Sequence, residues 1–300
     1  MKKYDCVIVG GGIAGLQAAI QLGRYSHRII VVDSDKGRSN LSHCYHNILG
    51  WPEGVSGQKL RSIGKKQAID FGVMFMEDLV VDVAQKDGKF MVKTTNKTIE
   101  ADSVLLATGV VDRIPPKFLP LFPCLGLSVF ICPDCDGHEV KNKRTLVLGT
   151  GNPGAHLAMA LTYWTNELIF INHEQRDVDE ELMEKLNENN VTYICESVEK
   201  VLCDGRHLHG VILKNGTKVT GNYAFLAFGG NKVKSELARG LGVELFHNKH
   251  ILSNPRTKMT NVEGVWAAGD VAVHSEQVAI AMGDGHQAAI WIHKYLLEKK

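Results

Sequence analysis

The sequence predicts an α/β protein built from two parallel-sheet units. Three observations carry that expectation. A mostly apolar run at residues 4–9, a glycine-rich turn at Gly10–Gly15, a helical stretch from Leu16 and a second apolar run ending at Asp33 make one strand–turn–helix–strand unit. The same order returns at residues 144–171, with glycines at 149, 151 and 154. A length of 300 residues suits two domains better than one.

Taken in order, residues 4–9 are a short, mostly apolar strand of the kind buried on both faces of a parallel sheet. Gly10, Gly12 and Gly15 then match G-x-G-x-x-G. The glycines permit a tight turn and a close approach of backbone to pyrophosphate, and the helix N-terminus faces the phosphates. Asp33, at the end of the second strand, is placed to take a ribose hydroxyl. Residues 36–58, rich in Gly, Asn and His, read as a long loop of the sort that serves a ligand. Within it, His43 and His46 read equally well as plain surface residues or, with Cys44, as the lining of a substrate path.

Residues 58–71 have a helical pattern, and 73–100 read as strands joined by turns at Asp87-Gly88 and Asn96-Lys97. A buried strand from Asp102 ends on Ala107-Thr108-Gly109. Val110 to Pro123 carries Pro115, Pro116, Pro120 and Pro123 and reads as a connector at a domain boundary.

The second unit holds Gly149, Gly151 and Gly154 in the same spacing. Its specificity end is mixed. Position 172 is Asn, and His173-Glu174-Gln175-Arg176 follows. An acid there favours NADH and a cluster of arginines favours NADPH. Glu174 and Arg176 point opposite ways, and Pro153 removes an amide from the turn. The unit therefore reads either as a nicotinamide nucleotide site or as a retained scaffold. A helix and turn-broken strands fill 178–228, and residues 231–262 read as a return connection. Gly264–Asp270 is a short strand ending on an acid, and Ala279–Leu297 is an alanine-rich helix with Gly283 and Gly285 near its start.

Between the two units lies Cys132-Pro133-Asp134-Cys135-Asp136-Gly137. A Cys-x-x-Cys pair can close and reopen as a disulfide and can lower a thiol pKa towards neutrality. Asp136 is placed to give and take the proton of that cycle. Zinc would need a second Cys/His pair at matching spacing, and Cys195 and Cys203 do not supply one, so no metal is expected. Seven cysteines, an odd number, do not form a secreted disulfide framework. A net charge of +1 gives no reason to expect nucleic acid as a partner. No apolar run is long enough to span a bilayer, and the N-terminus lacks a signal-peptide pattern, so a cytoplasmic protein is expected.

These pieces together resemble the low-molecular-weight thioredoxin reductases, which are FAD-dependent pyridine nucleotide-disulfide oxidoreductases. The matching stretches are Gly10–Gly15 with Asp33, Ala107-Thr108-Gly109, Cys132–Gly137, Gly149–Gly154, and Gly269-Asp270 with Gln277-Val278. The resemblance implies two Rossmann-like (ββα-type) nucleotide-binding domains, the second inserted into the first. An FAD domain would span 1–114 and 246–300, and a nicotinamide-type domain with the cysteines would span 115–245. Gly10, Gly12, Ile13, Ala14, Gly15 and Asp33 would hold the ADP half of FAD, with Ala107, Thr108, Gly109 and Gly269 nearby. Asp270 would approach the ribityl chain and pyrophosphate, and Asn47, Gln277 and Val278 the isoalloxazine. Cys135 would face the flavin, Cys132 would exchange with the substrate disulfide, and Asp136 would be the acid/base. Gly149, Gly151, Gly154 and Arg176 would meet NADPH or NADH. In such relatives the inserted domain rotates, and the protein is usually a homodimer.

Two departures stand out. The family's His-Arg-Arg run is His173-Glu174-Gln175 here. The loop from Gly37 to Gly50 and the Cys-Pro-x-Cys sequence look more like the dithiol oxidases related to gliotoxin and holomycin biosynthesis, which keep FAD but do not use NADPH. Asp136 is instead the reductase-type residue. The expectation is an enzyme passing electrons from NADPH, NADH or another donor such as ferredoxin, through FAD and Cys132–Cys135, to thioredoxin or a small-molecule disulfide. The alternatives are a dithiol oxidase with oxygen as acceptor, and a non-enzymatic flavin-containing redox sensor.

Overall fold

A computed structural model describes residues 3–299. It divides into two compact units, one of residues up to Asn40, Gly57–Val111 and from Lys232 onward, the other of Leu41–Ser56 and Asp112–Asn231.

The core of the first unit is a five-stranded parallel sheet. Its order is Val265–Ala267, Val104–Leu106, Cys6–Val9, Ile29–Asp33, Met74–Glu77. Side chains alternate between the faces of a strand. Cys6 and Ile8 therefore join one core with the helices Ile13–Arg24 and Val278–Glu298, through Ala18, Leu22, Ala288 and Ile292. Val7 and Val9 join the other, packing with Phe90, Val92 and Ile99 of an antiparallel sheet. Both faces are covered, which is why these strands read as continuous apolar runs. The two helices meet backbone to backbone: a Cβ on Gly285 would overlap the Ala14 carbonyl.

The second unit repeats the plan. Its parallel sheet runs Val129–Phe130, Tyr223–Ala227, Thr145–Gly149, Leu168–Asn172, Thr192–Ile194. Leu146 and Leu148 face the antiparallel strands Val198–Asp204, His207–Leu213 and Lys218–Thr220. Val147 and Phe170 face the helices. Gly154, in the helix Gly151–Leu161, lies against the Phe170 ring at a distance that leaves no room for a Cβ.

Three expectations differ from the structure. The division lies at 111/112 and 231/232 rather than at 114/115 and 245/246, because Lys232–Val233 pairs antiparallel with Val110–Val111. Residues 232–245 therefore belong to the first unit, where Val233, Ala238 and Val243 enter its core. The loop 41–56 groups with the second unit, where His43 N–H donates to the Leu125 carbonyl at 2.9 Å. The proline stretch is no plain connector but a 3₁₀ helix, Pro116–Cys124. Side chains three apart eclipse in that helix, so Phe118, Leu121 and Cys124 form one buried stripe, and Pro116 sits at the start, where its missing N–H is harmless. Among the described residues no helix is long and apolar enough to cross a membrane.

Candidate active site

Cys132 caps the four-residue helix Pro133–Asp136, with Pro133 in the first position, where its fixed φ is preorganised for a helix. One helical turn brings Cys132 and Cys135 to a Cα–Cα separation of 5.3 Å, and they form a disulfide. The Cys135 amide lies 3.2 Å from Cys132 Sγ, so a donor is already aimed at that sulfur when it becomes a thiolate. Gly137 follows because nothing larger fits: a Cβ there would run into the indole of Trp164.

Asp136 is largely buried, and burial pushes its carboxyl above the ordinary carboxylate range, while His46 opposes the rise. His46 Nδ1 lies 3.6 Å from Asp136 Oδ1. The Asp136 carboxyl in turn holds His46 above the ordinary imidazole value, against burial. The arrangement is a partly buried acid–imidazole pair next to a disulfide. Cys44 lies in the same loop as His46. A Cβ on Gly54 would strike its sulfur, and one on Gly126 would come within 2.6 Å of its carbonyl oxygen. Burial, Glu139 and Asp136 all raise the Cys44 thiol, so it stays protonated at neutral pH.

In the first unit the expected cofactor residues gather at the C-terminal ends of the parallel strands. Gly10 has φ +108° and donates its N–H to the Val32 carbonyl at 2.9 Å. A side chain on Gly10 would overlap the Ala107 carbonyl, and one on Gly15 would overlap that of Gly10. Gly12, Ile13, Ala14 and Gly15 open the helix Ile13–Arg24, where the first amides have no acceptor inside the helix. The Asp33 carboxylate would lie 2.7 Å from a Cβ on Gly11. Ala107-Thr108-Gly109 continues the adjacent strand, with Thr108 Oγ1 donating to Lys234 O at 2.6 Å. Gly269, at φ +76°, approaches Ala14, and Gln277 and Val278 start the C-terminal helix. A cradle of open amides, small residues and one strand-end acid suits the pyrophosphate and ribose of an FAD. Asn47 is grouped apart from these residues, in the loop of the second unit.

Sequence reasoning missed the charged side chains behind this cradle. Arg61 donates to Asp33 Oδ2 at 2.5 Å, to Asp35 Oδ1 at 2.7 Å and to the Gly11 carbonyl at 3.1 Å. Arg38 Nη1 lies 3.3 Å from Asp270, whose carboxyl is raised by burial. Asp284 is buried in the C-terminal helix. It takes an ion pair from Lys258 at 2.7 Å, a bond from His274, and the Gly269 N–H at 3.2 Å. The legible signal was charge need alone: acids at 33, 35, 270 and 284 beside glycine turns call for cations, but nothing local names them.

The second glycine turn is built differently. Its Gly151 amide donates to Asn172 Oδ1 at 3.1 Å, Thr150 N–H to Ala227 O, and Gly154 N–H to Thr150 O, each at 3.1 Å. Asn172 is fully buried and also donates to the Arg176 carbonyl and to Tyr193. A cavity of ≈180 Å³ lies beside the turn, lined by Arg113, Ile131, Pro153, Leu157, Ala227 and Gly229 among others.

Residues 4–285 match the family described as pyridine nucleotide-disulphide oxidoreductase. The chain belongs to that family. Its relatives include the thioredoxin reductase of Peptoclostridium acidaminophilum, 29% identical over 312 residues, which cover 98% of this chain and 97% of that protein. The thioredoxin reductase of Mycolicibacterium smegmatis is 28% identical, with 99% of this chain and 97% of that protein covered. Among solved structures, HlmI matches with a TM-score of 0.88 at 26% identity, covering 99% of this chain and 93% of that one. A putative thioredoxin reductase TrxB from Bacillus anthracis matches at 0.85 and 25% identity, covering 99% of each chain. This pyridine nucleotide-disulphide oxidoreductase is thus a flavin-dependent enzyme of the thioredoxin reductase type, with two Rossmann-like domains.

Proposed function

We propose that this oxidoreductase binds FAD in its first unit and carries an electron pair on Cys132–Cys135, which it exchanges with a protein disulfide such as thioredoxin or with a small-molecule disulfide. The observation that carries the reading is the disulfide next to a partly buried acid, Asp136, with His46 beside it. FAD supplies two-electron exchange with the cysteine pair. The protein residues handle binding and protons. Gly10, Gly12, Gly15 and Asp33 hold the ADP half, and Asp270, Gln277 and Val278 bind nearer the flavin. Reducing Cys132–Cys135 takes two electrons and two protons and leaves two thiols. Asp136, whose carboxyl is raised by burial, stands next to Cys135 as the acid and base that passes protons to and from the thiolates of the pair. Cys132 then attacks the substrate disulfide, forming a mixed disulfide that Cys135 resolves. The products are Cys132–Cys135 and two substrate thiols.

Run in reverse, the same site oxidises a dithiol, with oxygen taking the two electrons as hydrogen peroxide. The internally satisfied second glycine turn favours this second reading, because it weakens the case for a nicotinamide donor. The test is anaerobic. NADPH, NADH and a dithiol are added separately to the yellow protein while flavin absorbance is followed. Bleaching by NADPH or NADH supports the reductase direction. Bleaching by dithiol alone, reversed by air with peroxide formed, supports the oxidase direction. Turnover that survives Cys135→Ser would overturn both.

A further inference from the structure

Three side chains at the mouth of the second glycine turn neutralise one another. Glu174, just after the strand Leu168–Asn172, receives Arg113 Nη2 on Oε1, and its Oε2 lies 3.1 Å from Arg176 Nη2. The two arginines hold the Glu174 carboxyl below its ordinary range, against the effect of burial. Arg113 is fixed from behind. Its Nη1 donates to Phe228 O at 3.0 Å, its backbone N–H donates to Asn231 Oδ1 at 3.0 Å, and it lines the cavity beside Pro153 and Gly229. The neighbouring polar residues are also committed. His173 Nδ1 accepts the Val198 amide at 2.9 Å, its ring meets Phe118 edge-on, and burial lowers its pKa, so it is a neutral imidazole. Gln175, at φ +52°, turns away to Glu196.

We propose that Glu174 is a specificity-determining residue that cancels Arg113 and Arg176 and thereby denies a nicotinamide nucleotide's 2′-phosphate a binding site on the second unit. A 2′-phosphate brings close to two negative charges and needs unneutralised guanidinium donors. Here Arg113 already bonds the Glu174 carboxylate and the more exposed Arg176 is ion-paired with its other oxygen, so a phosphate entering beside Glu174 would meet a like charge between the two guanidiniums. The second unit therefore gains nothing from a 2′-phosphate, and the nucleotide chemistry it can accept is that of a free ribose diol. This deepens the reading above and rests on it for the role of the second unit. The sequence left Glu174 and Arg176 as opposing signals, and the ion pairs resolve them.

The test is calorimetric binding of 2′,5′-ADP and of 5′-ADP to the FAD-loaded protein, so that the first unit's ADP site is already filled. Wild-type protein is expected to bind 2′,5′-ADP no more tightly than 5′-ADP. In Glu174→Gln the ratio is expected to move about tenfold or more in favour of 2′,5′-ADP, with a gain that shrinks as salt rises. Arg113→Ala added to Glu174→Gln is expected to remove that gain. A wild-type preference for 2′,5′-ADP, or an unchanged ratio in Glu174→Gln, including no binding of either compound, overturns the proposal. Flavin absorbance at the wild-type ratio to protein checks that each variant is folded. Anaerobic bleaching by a dithiol tests the thiol–disulfide reading separately, since it needs no nucleotide.

Discussion

His46 Nδ1 stands 3.6 Å from Asp136 Oδ1, which couples a loop histidine to the acid that follows the redox disulfide. Each group shifts the other. Burial raises the Asp136 carboxyl and His46 lowers it, while Asp136 raises His46. Asp136→Asn is expected to cut turnover by about 10²–10⁴-fold, the usual value of a positioned acid or base. His46→Gln removes the imidazole that lowers the Asp136 carboxyl. The limb of the pH–rate profile set by Asp136 is then expected to move to higher pH, with a smaller loss of rate. A limb that stays in place would separate the two residues.

Arg61 links Asp33, Asp35 and the Gly11 carbonyl. Without it the strand-end acid loses its brace, and two acids lose their cation. Hydrogen bonds to charged groups contribute about 1.5–3 kcal/mol. Arg61→Ala is therefore expected to weaken FAD retention by about tenfold or more, read as the ratio of flavin to protein absorbance after dialysis. Retention at the wild-type level would show that Asp33 needs no brace.

Asp284 ties Lys258, His274 and the Gly269 amide to the C-terminal helix. Removing one partner of a buried pair typically costs about 3–5 kcal/mol, and Lys258 and His274 keep some solvent access, so Asp284→Leu is expected at the low end of that range in urea denaturation. The pH dependence has two edges. Asp284 is pushed up by burial but held below 3.8 overall by His274 and Lys258, so its contribution is present above that pH and is lost as pH falls through the folded value. His274 is raised above 6.5 by Asp284, so its contribution is full below 6.5 and is lost as pH rises through the folded value. The stability gap between wild type and Asp284→Leu is thus expected to be widest from about 4 to 6.5, and a flat difference would reject the linkage.

Gly137 sits against Trp164. Gly137→Ala is expected to destabilise the protein by about 1–3 kcal/mol, as overpacking does. In Gly137→Ala/Trp164→Ala the cost is expected to fall below the sum of the single changes, because the second substitution removes the clash. Strict additivity would place the strain elsewhere.

Much of the architecture was legible because its causes are local. Continuous apolar runs at 6–9 and 146–148 mark strands covered on both faces, and both are buried in the structure. The Asp87-Gly88 turn shows in the sequence because both residues take positive φ. The proline stretch misled, since a prohibition on α-helix is not one on a 3₁₀ helix whose three-residue period buries Phe118, Leu121 and Cys124. The end of the inserted segment misled too, because the short pairing of Lys232–Val233 with Val110–Val111 has no pattern of its own.

By itself the sequence determined two glycine turns, each at the end of a buried strand, and a cysteine pair one helical turn apart. Backbone φ, strand alternation and i, i+3 spacing are properties of neighbours in the chain, so residue type alone specifies them. Only the tertiary structure decided who stands beside whom: His46 beside Asp136, Arg61 on Asp33, Asp284 under Gly269, and Glu174 between Arg113 and Arg176. A long charged side chain can meet any opposite charge within reach. Which one it meets is set by the strand order that brings distant loops to the same sheet edge, and no local pattern records that order.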